Sequence, residues 1–448
     1  MYKELPGPKS WEYLRRAMKV FPGGDSPDAE KKFVTNATFF TDRAEDSYLY
    51  DVDGYKYIDF FSGWASNNLG NVHPEIYEAV VDALSRYGFV YNHIYAIELA
   101  EKLIEITPKN LTRVSFEVSG TEAAEASVSY ALTHTKRPLI ITFIGQFHGD
   151  SIGARNLGSE TAERKSYFEA MHGGVIFIPY PKNTRIPLNM TIEEYAELCL
   201  WFIEENILRY VSEPSRIAGI LFEPMMAEGG NIIPPKNFIE GLRKMADRYG
   251  WLLLDDEVLT GFGRTGKMWG IEHYNIKVDI IVTGKGLTGG MIPIGAVVGS
   301  EEIMGPVKAY SGSTFAGSPA GCAAALKTIE IIYRDNILDK VSKNGEEALK
   351  IMREWVDKYN VIGDARGVGY LLGVEVITGL EEKIDEEIAR RIFVEATKYG
   401  VRGVWDEEPT IRIYPPLNIT KELLHEGLQR FEEAIKKIED EFKHKIGS

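Results

Sequence analysis

The feature that most restricts the fold is a theme repeated through the middle of the chain: an apolar run of strand length, a turn, then a helical pattern. RVSFEV precedes SGTEAAEASVSYAL, LIITFI precedes GQFHGD, and GILFEP leads through a loop to NFIEGLRKMADRYG; WLLLDDEV precedes TGFGRTG and DIIVTGK precedes GLTGG. The runs do not alternate apolar with polar residues, so each strand is covered on both faces. This specifies an α/β fold in three layers, a mostly parallel sheet between helices. In NFIEGLRKMADRYG, Phe238, Leu242, Met245 and Tyr249 recur near the 3.6-residue period and mark the face that packs on that sheet.

The flanks read differently. Residues 9–19 suit a short helix and FPGGDSPD a loop, after which ATFFTDRAEDSYLYDVDGYKYIDFF alternates around Asp53-Gly54, a hairpin pattern. From Pro319 a helical stretch leads to two amphipathic helices, the strands GYLLGVEVI and TIRIYPPLNI, and a closing helix. The expected division is 1–65 as the N-terminal part of a small domain, 66–320 as the large α/β domain and 321–448 as a C-terminal small α/β domain.

Composition narrows the partners. A formal net charge of −15 opposes unspecific binding to nucleic acid or to anionic lipid. Two scattered cysteines, Cys199 and Cys322, provide neither a disulfide framework nor a zinc site, which fits a reducing cytoplasm. The N-terminus lacks the apolar core of a signal peptide, and no run approaches the length of a membrane span.

In parallel sheets ligands bind beyond the carboxyl ends of the strands, so the residues there belong together. They are Ser119-Gly120-Thr121, Phe147-His148, Glu223-Pro224, Asp256-Glu257 and Lys285. Each has an ordinary structural reading on its own. Ser119 with Glu122 forms a helix-capping signal, but a glycine and two hydroxyls at a helix start also attract an anion. Phe147 can be core, or can stack on a planar ring, and His148 can be a structural hydrogen-bonding residue. Asp256, at the end of an apolar run, needs a cation or a donor, which a protonated ring nitrogen or a structural ion pair supplies. Metal binding by Asp255, Asp256 and Glu257 is disfavoured because adjacent strand residues point to opposite faces. Lys285, set among glycines, either caps a loop in water or offers its amine for chemistry. Thr314 is a turn hydroxyl or a phosphate donor, and Trp64 is packing or a pocket wall. Together the strand ends supply a phosphate cradle, an aromatic plate, two carboxylates and an amine, the parts needed to hold pyridoxal 5′-phosphate.

SGTEAAEA, FHG, FEP, DDEVLTGFGRTG, TGKGLTGG, STFAGSP and IRIYPPL stand in the order and rough spacing seen in class III aminotransferases. The chain resembles those fold type I pyridoxal-phosphate enzymes from about Leu49 to Leu417. The resemblance implies that Lys285 is the Schiff-base lysine and Asp256 the partner of the pyridine nitrogen. It implies that Ser119, Gly120 and Thr121 lie at the phosphate, and that Phe147, His148, Glu223 and Val258 surround the ring. It further implies a homodimer, or an oligomer of dimers, in which Thr314 reaches the phosphate of the neighbouring subunit. Arg412 matches an arginine that receives a substrate carboxylate, Glu228 an acidic position that pairs with it and swings aside, and Trp64 a pocket-lining loop. Leu259 and Met226 depart from the family, standing where glutamine is common. The implied reaction moves an amino group from an amino acid or ω-amine to a 2-oxo acid by a ping-pong cycle. The alternative is an amino-acid racemase or epimerase using Lys285 and Glu228 on opposite faces of the cofactor. The resemblance favours transamination, since racemising members tend to carry Asp at the position of Glu228.

Overall fold

The computed structural model describes residues 5–22, 39–162, 165, 173–182, 184, 186–306, 313–378, 383–405 and 409–446. The FPGGDSPD loop lies outside the described residues from Gly23 onward. The chain divides into two compact units, one of Met1–His73 with Lys340–Ser448 and one of Pro74–Asp339.

The first unit opens with helix α1 (Pro8–Val20), which starts on a proline whose missing N–H costs a helix nothing at that position. Strands β1 (Thr41–Glu45), β2 (Tyr48–Asp51) and β3 (Lys56–Asp59) follow as an antiparallel meander. The β2–β3 hairpin turns where the sequence places it: Asp51 Oδ1 accepts the N–H of Asp53 at 3.0 Å and of Tyr55 at 2.8 Å, and Gly54 has φ +90°.

The second unit begins with helices α2 (Pro74–Tyr87) and α3 (Ile94–Ile106). Its sheet is built from β4 (Arg113–Glu117), β5 (Leu139–Phe143), β6 (Val175–Ile178), β7 (Ile217–Phe222), β8 (Leu252–Asp256), β9 (Ile280–Thr283) and β10 (Gly295–Gly299). Their lateral order is β4-β10-β9-β8-β7-β5-β6, with β10 antiparallel to both neighbours and the other pairings parallel. All six residues of β7 are buried, and a fully buried Leu, Ile or Phe contributes roughly 1.5–3 kcal/mol. Helix α4 (Gly120–Thr135) lays Ala123, Ala124, Ala126 and Tyr130 against Leu221, Leu254, Ile280, Val282 and Val297 of the sheet. Small alanines let this helix approach closely, and that fixes its N-terminus at the strand ends. Helix α5 (Lys236–Tyr249) buries Phe238, Leu242 and Met245, the face its periodicity marks, and stops at Gly250 with φ +64°. Helix α6 (Pro319–Arg334), capped by Ser318 Oγ accepting the Gly321 N–H at 3.3 Å, closes the unit.

The first unit resumes at Lys340 within the helix Ile337–Lys358, followed by β11 (Ile362–Val368), β12 (Leu371–Thr378) and β13 (Lys383–Ile384), then helix α7 (Glu386–Lys398) and the short β14 (Val401–Arg402). Strand β15 (Thr410–Ile413) pairs with β12, and helix α8 (Lys421–Ile446) ends the fold. β14 lies parallel to β3 through Val401↔Ile58, so the two ends of the chain share one sheet. No helix among the described residues is long and apolar enough to cross a membrane.

Candidate active site

Five strand ends converge on one cavity. β4 leads to Gly120 and Thr121, β5 to Phe147, His148 and Gly149, and β7 to Glu223. β8 ends at Asp256, followed by Val258 and Leu259, and β9 leads to Lys285; Ala227 and Glu228 complete the lining. The cavity measures about 120 Å³. A larger groove of about 840 Å³, on the outer faces of α2, α3 and α6, holds no strand-end residue, so the chemistry belongs to the smaller one.

Asp256 is the electrostatic centre. Its carboxylate is 4% exposed and lies 2.6 Å, through Oδ2, from His148 Nδ1, while Oδ1 accepts the Val258 N–H at 3.0 Å. An ionised carboxylate only accepts, so His148 carries its proton on Nδ1. In the neutral imidazole Nε2 then accepts from the Thr142 hydroxyl, 3.3 Å away. Thr142 of β5 thus fixes the imidazole, and the imidazole fixes Asp256.

Glu223 is fully buried, and that burial pushes its carboxyl up to about 7, against the Phe147 and Ala227 N–H groups it accepts at 3.0 and 2.9 Å. These bonds clamp the loop bearing Phe147 and the one bearing Glu228. Asp255 and Glu257 face away from the site. Glu257 accepts the Gly270 and Ile271 N–H groups at 2.8 and 2.7 Å, and burial raises it to about 7. Burial also raises Asp255 far above the carboxylate range. The three consecutive acids therefore do not converge, and among the described residues no three His, Cys, Asp or Glu side chains could hold a metal ion.

Glycines set the close approaches. A Cβ on Gly120 would lie 2.7 Å from Val258 Cγ1, and one on Gly149, at φ +131°, 2.4 Å from Thr121 Oγ1. Lys285 sits at φ +36°, a left-handed conformation that is costly for a lysine and typical of a position fixed for function.

Other residues singled out in the sequence are held by their own contacts. Ser119 caps α4, its Oγ accepting the Glu122 N–H at 3.3 Å, and it does not line the cavity. Thr314 is exposed, in the turn Ser313–Gly317. Trp64 and Arg412 belong to the first unit, where the Arg412 guanidinium stands 5.4 Å from the centroid of the Trp64 ring. Sequence reasoning missed Gly149, Ala227, the role of Thr142 and the Glu223 clamps; only the glycine of FHG gave a signal.

The Aminotransferase class-III family model matches residues 30–435, so the chain belongs to that family. It is 34% identical to the alanine/serine racemase of Pyrococcus horikoshii, over 96% of this chain and 91% of that protein. It is 32% identical to a probable 4-aminobutyrate aminotransferase of Bacillus subtilis, over 88% and 92%. Its fold matches the crystal structure of an amine transaminase from an uncultivated Pseudomonas species, solved with pyridoxal phosphate bound, with a TM-score of 0.86 and 25% identity over 93% of this chain and 98% of that one. The protein is thus a fold type I enzyme of the aminotransferase class, and its cofactor is pyridoxal 5′-phosphate. The donor set fits that group: a helix N-terminus for the phosphate, an aromatic ring, a buried carboxylate and an amine line one cavity.

Proposed function

We propose that this enzyme transfers an amino group from an amino acid or ω-amine to a 2-oxo acid by a ping-pong cycle, with Lys285 and Asp256 as its catalytic residues. The observation that carries the reading is that the Lys285 amine and the His148-supported Asp256 line the same cavity. Gly120 and Thr121 hold the phosphate at the start of α4, where unpaired N–H groups and the helix dipole favour an anion. Phe147 and Val258 enclose the ring, with Glu223 and His148 holding the loops around it. When bound, pyridoxal phosphate supplies the carbonyl that takes up the amino group and the ring that withdraws electrons.

Asp256, held in place by His148 Nδ1–H, would accept the hydrogen bond of the ring nitrogen and balance a positive charge there. Lys285 Nζ is the basic amine of the cavity and would take up and hold the proton from the amine-bearing carbon of the substrate. Arg412 would receive a substrate carboxylate as a bidentate pair, with Trp64 beside it. The protein works in the cytoplasm as a homodimer, with Thr314 completing the partner's phosphate site. Exposed Val81 and Leu84 on α2, Ile94 and Ile97 on α3, and Phe315 support the association. A panel of α- and ω-amino donors with pyruvate and 2-oxoglutarate tests the reading: oxo product and new amino acid form in equal amounts.

A racemase is the second reading, favoured by the 34% identity to the Pyrococcus enzyme. It requires an acid on the far side of the ring from Lys285, and Glu228 lines the cavity with that lysine.

A further inference from the structure

His93 makes two hydrogen bonds that only one form of the imidazole allows. Nδ1 accepts the Ala96 N–H at 3.2 Å, which makes His93 the N-cap of α3. Nε2 lies 2.7 Å from the carbonyl oxygen of Gly317, and a carbonyl only accepts, so Nε2 carries the proton. The side chain is 5% exposed. An N-cap needs only the first bond. The second spans 224 residues and fastens the turn Ser313–Gly317 to the start of α3.

That turn is held from other sides as well. Phe89 packs edge-on against Phe315 with centroids 4.7 Å apart, and Gly317, at φ +64°, lies where a Cβ would meet Phe116 at 3.1 Å. Cys322 Sγ also points at the Gly317 carbonyl, at 3.5 Å. The turn is anchored at its glycine end, while Ser313, Thr314 and Phe315 remain exposed.

We infer that His93 is a positioning residue for the cofactor site of the partner subunit: its Nε2–H fixes the Gly317 carbonyl and thereby sets where the Thr314 hydroxyl is presented. The inference rests on the proposed role of Thr314. His93→Asn separates the two bonds of the histidine, because Oδ1 of Asn occupies the Nδ1 position and is a strong N-cap, while no atom of Asn reaches Gly317.

The test titrates the cofactor-free protein with pyridoxal phosphate and follows cofactor absorbance and tryptophan fluorescence, a binding readout independent of turnover. Thr314→Ala is expected to raise Kd at least about tenfold, the loss of one hydrogen bond to a charged group. His93→Asn is expected to raise it roughly three- to tenfold with the thermal midpoint unchanged, and to add little to Thr314→Ala, since both act through one contact. Wild-type affinity in Thr314→Ala overturns the assignment of Thr314 and the inference with it. A weakened Thr314→Ala beside an unchanged His93→Asn overturns only the tether, as does a full His93→Asn effect in the Thr314→Ala background. Should His93→Asn lower the midpoint, Phe89→Ala loosens the same turn without touching the cap. It must then weaken cofactor binding, and unchanged affinity there also overturns the inference.

Discussion

His148 shows how little of a site's wiring is visible from residue types. The sequence places it beside Phe147 at a strand end, but its bond to Asp256 joins positions 108 apart, and its second bond to Thr142 follows only from the fold. Lys285 and Asp256 stand out in the sequence because a lysine among glycines and a carboxylate after LLLD each break a local pattern. Glu223 was legible as a strand end and not as a clamp, since its partners are backbone N–H groups without sequence identity. Replacing His148 with Phe removes the donor that holds the Asp256 carboxylate in place, so kcat should fall about ten- to a hundredfold with the fold intact, as steady-state kinetics and circular dichroism would show. Glu223 gives a pH prediction. Its folded value of about 7 lies above the ordinary 4.5, so the folded state binds more protons than the unfolded one between those values. Its contribution to stability therefore falls as pH rises through that window. Glu223→Gln should flatten the thermal midpoint of the cofactor-free protein across that range; an unchanged slope would contradict the assignment.

At the scale of elements, five strands of the large sheet follow from apolar runs, but β6 and β10 do not. VIFI is short and follows two glycines, and GAVVG carries glycine at both ends and pairs antiparallel, outside the repeating pattern. The approach of α4 to the strand ends depends on alanines and glycines, which carry weak periodicity and much packing information. Gly149→Ala tests this approach. A Cβ 2.4 Å from Thr121 Oγ1 at φ +131° must displace the hydroxyl or strain the backbone, at a cost of about 1–3 kcal/mol. Affinity for pyridoxal phosphate should fall about tenfold in equilibrium titration, whereas Gly54→Ala, in a turn with open space around it, should leave it unchanged.

For the whole molecule, the central claim is a division of labour in one cavity: Asp256 holds the ring's charge and Lys285 moves the proton. The same geometry serves transamination and racemisation up to the point at which the proton is returned, so fold and site together leave the direction of return to the far side of the ring. Lys285→Ala should abolish turnover while leaving a folded protein that still takes up pyridoxal phosphate. The most direct measurement follows one enantiomer of an amino acid, with and without 2-oxoglutarate, by chiral chromatography of substrate and product. The account predicts equal amounts of new oxo acid and glutamate when the acceptor is present, with the enantiomer otherwise unchanged. Loss of enantiomeric purity without an acceptor and without oxo product would contradict it and make Glu228 the second base.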